Sequence, residues 1–445
     1  MFHFGLPYAM SYEPLMCKQL PGYVYQLLRS IGRTGDRIDC PVFAVGGFVR
    51  DLLIGRPNLD VDIVAEGDGI AFAHAFAESQ AGMPVPPKIK CHQQFGTAVV
   101  TLPDGFKVDV ATARTEVYDR PGALPSVKRN SIREDLRRRD FTINAMAIEL
   151  NEGRFGELVD FFGGRSDLHS RSIRILHDKS FLDDPTRIFR AIRFEQRYGF
   201  SIEPHTEKLL GRAVAEDSLK RISGKRLRSE IFLILKEENL VPAIRRMAHF
   251  DLVKHMHPRI CISDELVELF DRVKGVLAWW NSTQSSVHSK AEPVLLNLMA
   301  LLDQLDMAEI EEASERLVLR KKHTEALKAS KMYLPSIFKR MGETKNPPSK
   351  VYEMLKGLPL EVLLFAMAKV HGQQRSVSLR NSISSYLTQL RKVKPLVDGN
   401  DLRKLGYPEG PLYTQILERT FAAQLDKLIV DKHQAIQFVK DKFPL

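Results

Sequence analysis

The sequence of 445 residues contains few cysteines, and their spacing excludes the common structural uses of this residue. The four are Cys17, Cys40, Cys91 and Cys261, and no two of them form a C-x-x-C pair. The sequence therefore predicts neither a disulfide framework nor a zinc site. Because unbridged thiols suit a reducing compartment, we expect the protein in the cytoplasm.

Long hydrophobic runs are also missing from this chain. No apolar stretch reaches the roughly 20 residues that a membrane-spanning helix requires. The N-terminus has Pro7 and polar residues where an export signal would have a basic segment followed by an apolar core. The sequence thus predicts no membrane partner and no export.

Acidic residues are outnumbered by basic ones, with 55 Asp and Glu against 65 Lys and Arg and a formal net charge of +10. This balance favours an anionic partner, of which nucleic acid is the commonest. With 44% hydrophobic residues over this length, the chain can form several domains with a sizeable core.

A glycine turn between two apolar segments lies in the stretch FAVGGFVRDLLIGRPNLDVD, residues 43–62. Residues 42–45 predict a short buried strand. Gly46 and Gly47 then allow a tight turn that brings bare amide groups close to a phosphate. Helical spacing follows at residues 48–54, so the pattern predicts a strand, a phosphate-binding turn and a helix.

Two carboxylates alternate along the next predicted strand, at residues 59–64. Asp60 and Asp62 lie two residues apart, so both side chains leave the same face of a strand. Crowded carboxylates repel one another unless cations lie between them, and Mg²⁺ binds through one or two carboxylates plus substrate phosphates. Two such ions can activate a hydroxyl and stabilise a leaving pyrophosphate. The alternative is a strand with a solvated acidic face.

The predicted strands and helices are mixed in the first part of the chain, whereas helical patterns dominate after residue 167. The mixture predicts a small α/β head built on a mostly antiparallel sheet. Further strands are predicted at 97–102, 107–112 and 144–150, and helices at 21–31, 68–80, 241–255, 262–278, 290–305, 307–330, 349–356, 360–370, 377–392 and 412–441.

Seven motifs between about residues 40 and 230 resemble, in wording and order, the class II tRNA nucleotidyltransferase and bacterial poly(A) polymerase family. A shared order of many motifs is far less likely by chance than one match. The motifs are GGFVRDLLIG with LDVD (46–62), FGTAVV (95–100), VDVATARTEVY (108–118), PGALPSV (121–127), RRDFTINAMAIEL (138–150), LVDFFGGRSDL (158–168) and DDPTRIFRAIRF (183–194).

The resemblance implies that Asp109 joins Asp60 and Asp62 as a catalytic and metal-binding carboxylate that orients the attacking 3′-hydroxyl or receives its proton. A solvated strand carboxylate is the alternative. The chain from Arg114 to Arg137 is rich in charge, Pro and Gly, and we expect a mobile loop there beside the site.

Further residues are expected to hold the nucleotide. The resemblance implies that Arg139 and Asp140, supported by Asn144, bind the ribose and phosphates, and we expect Arg50 beside the glycine turn to contribute. Asp accepts hydrogen bonds from ribose hydroxyls, and Arg binds phosphate through two donors. The alternative for each of these residues is a local salt-bridge cluster.

Selection of the base is expected at residues 183–187. Pro185 at the first helical position makes Asp184 a natural N-cap, which is its purely structural role. Asp184 and Arg187 lie three residues apart and can share one face of a helix. An acceptor beside a donor suits cytosine or adenine, whereas uracil and guanine present the reverse pattern. The resemblance implies an amino-acid template that chooses CTP or ATP.

Other basic residues offer contacts to phosphate. Arg190 and Arg193 continue the basic face, toward the triphosphate or in pairs with nearby acids. RNA phosphate is the expected partner of Lys225, Arg226 and Arg228, although most such charges are only solvated. In the tail, residues 397–413 resemble a short RNA-binding turn in which Gly406 and Gly410 present amides; a helix-ending loop is the alternative.

The fold class implied is α+β, with a polymerase-β-like nucleotidyltransferase head followed by an all-helical neck, body and tail. The expected parts are a possibly disordered lead-in at 1–20, the head at 21–155, the neck at 156–225, the body at 226–345 and the tail at 346–445.

The predicted reaction is transfer of AMP, CMP or both from ATP or CTP to the 3′ end of tRNA, with Mg²⁺ and release of pyrophosphate. Addition of the terminal A is favoured, because the wording IVAEGDGIAFA, PGALPSV and SFLDDPTRIFR resembles a long bacterial group. That group carries further N-terminal domains, which we expect to be absent here. A poly(A) polymerase and a non-catalytic RNA-binding protein are the alternatives.

Overall fold

The computed structural model describes residues 11–80, 85–117, 126–283, 290–342, 346–370 and 374–444. The β-strands in these ranges are β1 (Val42–Val45), β2 (Val61–Ala65), β3 (Lys88–His92), β4 (Thr97–Thr101), β5 (Lys107–Thr112), β6 (Arg114–Val117), β7 (Ser126–Arg129), β8 (Ala147–Glu149), β9 (Leu158–Val159), β10 (Ser172–Ile173) and β11 (Ser201–Ile202). The α-helices are α1 (Glu13–Gln19), α2 (Gly22–Arg37), α3 (Gly47–Leu53), α4 (Gly69–Ser79), α5 (Ile132–Arg137), α6 (Gly164–His169), α7 (Ser180–Asp183), α8 (Thr186–Tyr198), α9 (Pro204–Ala215), α10 (Gly224–Leu235), α11 (Leu240–His249), α12 (Asp264–Thr283), α13 (Pro293–Leu301), α14 (Met307–Arg316), α15 (Lys321–Gly342), α16 (Pro348–Leu355), α17 (Leu360–Lys369), α18 (Gln374–Thr388), α19 (Gly399–Lys404), α20 (Pro411–Leu425) and α21 (Lys432–Lys442).

Seven of these strands form one sheet, in the order β3-β4-β5-β2-β1-β8-β9. Neighbouring strands run antiparallel except for β2 and β5, which are parallel. The predicted α+β class with a mostly antiparallel sheet is therefore confirmed. The parallel pair matters for the site, because its register fixes which side chains of β2 and β5 lie opposite each other.

Strand β1 lies inside the sheet, and all four of its residues are buried. This explains the unbroken apolar run in the sequence, since a strand covered on both faces has no polar side. Helix α4 packs across β4 and β5 and buries Phe72 and Phe76. Full burial of two such rings stabilises the fold by roughly 1.5–3 kcal/mol each.

The turn from β1 into α3 depends on Gly46. Its φ angle is +70°, in the left-handed region that favours glycine. A side chain at this position would also lie 2.6 Å from Nη1 of Arg139. The glycine therefore brings the backbone and the Arg139 guanidinium together.

The chain divides into two compact units, Met1–Arg226 and Leu227–Leu445. The first holds the sheet and helices up to α9. Helix α8 in this unit ends at Gly199, which has the left-handed conformation common after a helix. The second unit is helical, with Trp280 and Phe365 buried among its packed helices. None of the helices in the described part of the chain combines the length and apolarity needed to cross a membrane.

A small apolar cluster closes the end of the second unit. Val397, Leu402 and Tyr407 pack with Ile416 and Val439 of the last two helices. Three of these residues, Val397, Leu402 and Tyr407, come from the segment 397–413, which is a packed helix and loop; its role in RNA binding stays a prediction.

Several predicted elements were wrong in extent. The lead-in contains helix α1 with Met16 buried, while residues 1–10 lie outside the described ranges. The segment predicted as a mobile loop from Arg114 to Arg137 contains β6, β7 and α5; most of PGALPSV lies outside the described residues. The reason is that charged residues on strand and helix faces gave no apolar period.

The predicted boundaries of three further elements, two helices and one strand, were also wrong. The helix predicted at 307–330 is two helices, α14 and α15, and that at 412–441 is α20 and α21. Each is interrupted by a residue with positive φ, Val318 and Lys427 respectively. The strand predicted at 59–64 is β2, Val61–Ala65, so that Asp60 precedes the strand. The helical part after residue 167 also includes the short strands β10 and β11.

Candidate active site

Two of the three predicted carboxylates face each other across the parallel strands. Asp62 of β2 is the register partner of Asp109 of β5. Both side chains are half-buried, whereas Asp60, one residue before β2, is exposed. The structure therefore gathers the three predicted acids at one place, with Asp60 at the end of the strand.

The carboxylates influence one another electrostatically. Burial, together with the charges of Asp60 and Asp109, raises the pKa of Asp62 to about 6 against the opposing effect of Arg139. Burial and the charge of Asp60 also raise the pKa of Asp109, against a smaller opposing effect of Lys107. These directions are those of crowded negative charges, which a bound cation would relieve.

The donor set fits a magnesium ion that shares its ligands with a nucleotide. Within the ranges that the structure describes, no group of three or more His, Cys, Asp or Glu side chains is arranged to hold an ion by itself. Mg²⁺ usually keeps several waters and binds through one or two carboxylates and substrate phosphates, without an all-protein cage. Half-buried, mutually repelling carboxylates on two neighbouring strands meet that requirement.

Arg139 is the cation beside the acidic residues. Its Nη2 donates to Oδ2 of Asp135 at 3.1 Å, and Asp135 is 0% exposed. Arg138 donates to the other oxygen of the same carboxylate at 2.6 Å. The amide of Gly46, predicted as free for a phosphate, donates instead to the carbonyl of Met146 at 3.3 Å.

Arg50 lies under the glycine turn, with only 5% of its surface exposed. Two of its nitrogens, Nε and Nη2, donate to the carboxylate of Asp51 at 2.9 and 2.8 Å. Its Nη1 donates to Oδ1 of Asn144 at 2.5 Å, and its guanidinium lies 4.7 Å from the centre of the Tyr198 ring. The structure thus places Arg50 in a network of protein groups.

Asp140 continues this network. Its Oδ1 accepts from Nδ2 of Asn144 at 2.9 Å, and its Oδ2 accepts from Nε and Nη2 of Arg190 at 2.8 and 2.6 Å. Burial alone would raise the pKa of Asp140, but Arg190 and Asn144 outweigh it and lower the pKa. The predicted residues Arg50, Asp140, Asn144 and Arg190 therefore form one connected cluster.

The predicted base-selecting pair lies at the start of α8. Oδ1 of Asp184 accepts from the amide and hydroxyl of Thr186, at 3.0 and 2.6 Å, but α8 begins at Thr186 with Pro185 at its N-cap, one residue later than predicted. The same oxygen accepts from Nη2 of Arg226 at 2.7 Å. Thr186 and Arg226 therefore fix the orientation of the Asp184 carboxylate.

Arg187 is buried and has two donors fixed. Nη1 donates to Oγ of Ser180 at 2.6 Å, and Nη2 donates to the carbonyl of Arg138 at 2.7 Å. Arg187 also lines a polar cavity of about 260 Å³ with Arg138, His177 and Asp183. Arg193, further along α8, is buried with its guanidinium 4.8 Å from the centre of the Phe194 ring.

Two of the predicted RNA-binding residues bind groups of the protein itself. Arg226 pairs with Asp184, and Arg228 donates to the carbonyl of Val318. Lys225 lies in the first turn of α10. Gly406, with φ of +89°, follows α19, and Gly410 precedes α20.

Four residues that support the site were not predicted from the sequence. Asp51, Asn58, Asp135 and Ser180 contact predicted site residues without being predicted themselves. The acidic Asp135 was detectable in principle, because it lies between the buried positions Ile132 and Leu136. The others carry no such signal.

Two family models match this chain. Residues 42–174 match the poly A polymerase head domain, and residues 199–262 match the probable RNA and SrmB-binding site of polymerase A. The first match contains β1, β2 and β5, and hence all three acidic residues.

Known proteins match over most of the chain. The A-adding tRNA nucleotidyltransferase of Geobacter sulfurreducens is 42% identical over 417 residues, which are 93% of this chain but 46% of that protein. This chain thus spans about half the length of that relative. The A-adding tRNA nucleotidyltransferase of Halalkalibacterium halodurans is 32% identical over 428 residues, 94% of this chain and 92% of that protein.

A solved structure agrees with these relatives. The Thermotoga maritima CCA-adding enzyme complexed with tRNA is 34% identical and has a TM-score of 0.75, covering 98% of this chain and 100% of that one. The resemblance expected from the seven motifs is therefore confirmed. With this identity and coverage, the chain belongs to the family of tRNA nucleotidyltransferases that share their head domain with poly(A) polymerases.

Proposed function

We propose that this protein adds AMP from ATP to a tRNA that ends in CC, with release of pyrophosphate. The observation that carries the proposal is the pairing of Asp62 with Asp109 beside Asp60, the arrangement expected for a nucleotidyl-transfer centre. The choice of AMP is supported by the names of the two relatives, both A-adding enzymes. Addition of CMP as well is the second candidate, because the similar solved structure is that of a CCA-adding enzyme.

The reaction is a substitution at the α-phosphorus of ATP. The 3′-hydroxyl oxygen of the tRNA forms a bond to this phosphorus, and the bond from the phosphorus to the pyrophosphate oxygen breaks. The hydroxyl proton passes to a carboxylate, for which we propose Asp109, because it lies on β5 directly opposite Asp62. Mg²⁺, when bound by Asp60, Asp62 and Asp109, supplies positive charge to the triphosphate.

The nucleotide is proposed to lie between the acidic residues and α8. Arg139 and the turn at Gly46 and Gly47 would hold the phosphates, since Arg139 lies over that turn. Asp184 and Arg187 would read the base through an acceptor and a donor. The network of Arg50, Asp140, Asn144 and Arg190, with Arg193 further along α8, would form the floor of this site.

Contacts to tRNA are proposed for basic residues and glycine amides outside the acidic centre. Cations bind RNA mainly through phosphates, without reading the sequence. The residues proposed are Lys225, Arg226, Arg228, Gly406 and Gly410. A cytoplasmic location is part of the proposal, because all four cysteines are free thiols that suit a reducing compartment.

Three tRNA transcripts test the proposal, ending before CCA, after C and after CC. Each is incubated with Mg²⁺ and labelled ATP or CTP, and the product is sized on a sequencing gel. Label from ATP that enters only the transcript ending in CC supports A addition. The Asp60→Ala, Asp62→Ala double variant is the negative control. If it retained activity, the assignment of Asp60 and Asp62 to the active site would be contradicted.

The alternatives give different products in the same assay. Use of CTP on the shortest transcript followed by ATP would identify a complete CCA-adding enzyme, and CTP use that stops at CC a CC-adding one. Products that grow well beyond one residue would identify a poly(A) polymerase. Absence of any incorporation by the wild-type protein would contradict nucleotidyl transfer to tRNA.

A further inference from the structure

We propose that Asn58 is a positioning residue for the acidic centre, linking Asp60 to a buried network that reaches Arg190 on the base-selecting helix. The inference rests on the proposed function, in which Asp60 binds the metal and α8 selects the nucleotide. Asn58 lies in the loop between α3 and β2. It takes no part in the proposed nucleotidyl transfer and would act only by orienting Asp60.

The two ends of the Asn58 side chain make different contacts. Its Oδ1 accepts from the amide of Asp60 at 2.9 Å, and its Nδ2 donates to Oδ2 of Asp51 at 2.8 Å. The first bond is a local turn of two residues, and the second ties the turn to α3. Asp60 precedes β2 and is exposed, so this bond to its amide is what orients its backbone.

Asp51 transmits the link into the protein interior. Its carboxylate is bound by Arg50 through two parallel hydrogen bonds of 2.9 and 2.8 Å. Both residues are buried, and a bidentate pair of this type has little freedom to rotate. Oδ2 of Asp51 accepts from both Arg50 and Asn58. Because the two donors share this oxygen, a movement of Arg50 shifts Asn58 as well.

Arg50 carries the link to α8. Its remaining terminal nitrogen, Nη1, donates to Asn144, which donates to Asp140, which is bound by Arg190. Asn144 and Asp140 are buried. Arg190 lies on α8 one turn after Arg187, so the unbroken series of hydrogen bonds runs from the base-selecting helix to the backbone of Asp60.

This arrangement has a functional consequence that local structure alone would not require. Binding of the correct base would fix the position of α8. It would thereby also fix Arg190 and, through the hydrogen-bonded network, Asp60. Asn58 is the last link, and because it is uncharged and only partly buried it can be replaced without taking a charge out of the interior.

Three variants separate the local turn from the network. Asn58→Ala removes both contacts. Asn58→Ser keeps a hydroxyl that accepts from the Asp60 amide, but it is too short to reach Asp51. Asn130→Ala is the matched control, because Oδ1 of this exposed asparagine also accepts a local amide, that of Ser131, at 2.8 Å.

The first readout does not depend on activity. Binding of Mn²⁺, as a spectroscopic substitute for Mg²⁺, is measured by electron paramagnetic resonance with a non-hydrolysable ATP analogue. We expect both Asn58 variants to weaken Mn²⁺ binding about 10-fold or more, the effect typical of residues that orient metal ligands. Asn130→Ala should bind Mn²⁺ like the wild type.

The second readout is the division between kcat and KM for ATP on a transcript ending in CC. We expect both Asn58 variants to lower kcat while KM for ATP is unchanged, because the nucleotide contacts remain. Thermal melts check the fold, and if Asn58→Ala does not fold, Asn58→Ser carries the test. Asn58→Ser with wild-type Mn²⁺ affinity and kcat would overturn the network. A wild-type protein without incorporation would contradict the proposed function alone, since Mn²⁺ binding still tests Asn58.

Discussion

Asp62 and Asp109 lie directly opposite each other on the parallel strands β2 and β5. Parallel pairing within an otherwise antiparallel sheet places two half-buried carboxylates side by side with Asp60 nearby. Without a cation, this arrangement costs free energy, because burial and neighbouring charges both disfavour ionisation. The crowded carboxylates therefore lower the stability of the metal-free fold, and a bound divalent cation would relieve this cost.

The first prediction concerns Asp62→Asn in the metal-free protein. The folded pKa of Asp62, about 6, lies above its ordinary value of 3.8, so the folded state holds this proton more tightly. Wild-type stability therefore falls as the pH rises from about 4 to 6, and the variant is spared this loss. In EDTA at pH 7.5 the variant should be about 1–3 kcal/mol more stable, with no such difference at pH 4.

Urea unfolding at the two pH values checks this prediction, and incorporation of labelled ATP serves as the functional measurement. The variant should be more stable and inactive at neutral pH. An equal midpoint for both proteins at pH 7.5 would show that Asp62 is not under electrostatic strain.

The second prediction has the opposite sign and concerns Asp140. Its pKa is lowered, with Arg190 and Asn144 outweighing burial. The stability that it contributes is present above its ordinary pKa and is lost as the pH falls through the lowered folded pKa. Asp140→Asn should cost about 3 kcal/mol at pH 7, the lower end for a broken buried pair because Arg190 is partly exposed.

The cost of Asp140→Asn should shrink when unfolding is repeated at progressively lower pH, below about 4. Glu134→Gln, at an ion pair with Arg137 that is largely exposed, is the control and should change stability little. A cost that stays constant down to pH 3 would contradict the role of the Asp140 charge.

Local patterns were enough to find the chemistry of this chain. The apolar run at β1, the glycines after it and the alternating Asp60 and Asp62 each depend on neighbours in sequence. The strand position of Asp109 also followed from its apolar neighbours, whereas its place beside Asp60 and Asp62 was implied only by the family resemblance.

Contacts between distant segments were beyond such patterns. Arg50 was predicted to bind the nucleotide, but Asn144, which fixes its orientation, lies 94 residues away. The same holds for Arg187 and the carbonyl of Arg138, which lie 49 residues apart in the sequence. The sequence indicated which charged residues are candidates for the site. Which of them bind one another depends on the fold and could not be predicted from their spacing.

The third prediction concerns Asp135, which binds both Arg138 and Arg139 and is fully buried. Asp135→Asn would leave two largely buried guanidinium groups without their counter-ion, at a cost of about 3–5 kcal/mol. Arg139 would no longer be held beside Gly46 and Asp62, so KM for ATP should rise. Thermal melts and steady-state kinetics measure both effects, with Glu134→Gln again as the neighbouring control. An unchanged KM in a folded variant would show that Arg139 does not depend on Asp135.

The last prediction concerns the selection of ATP over GTP through Ser180. Oγ of Ser180 is buried and accepts from Nη1 of Arg187, while the carbonyl of Arg138 accepts from Nη2. Ser180→Ala removes one of these two supports, so the guanidinium can rotate away from the base edge. A hydrogen bond to a charged group contributes about 1.5–3 kcal/mol, and a loss of 1.4 kcal/mol is about tenfold in selectivity.

The ratio of kcat/KM for ATP to that for GTP, on a transcript ending in CC, should therefore fall by roughly tenfold or more in Ser180→Ala, because guanine presents the reverse hydrogen-bonding pattern to Asp184 and Arg187. Ser170→Ala, at an exposed serine of the same unit, should leave the ratio unchanged. Only the ratio distinguishes the roles, because damage to the fold lowers both rates together. An equal decrease for ATP and GTP would mean that Ser180 supports the structure of α7 and α8 without orienting Arg187.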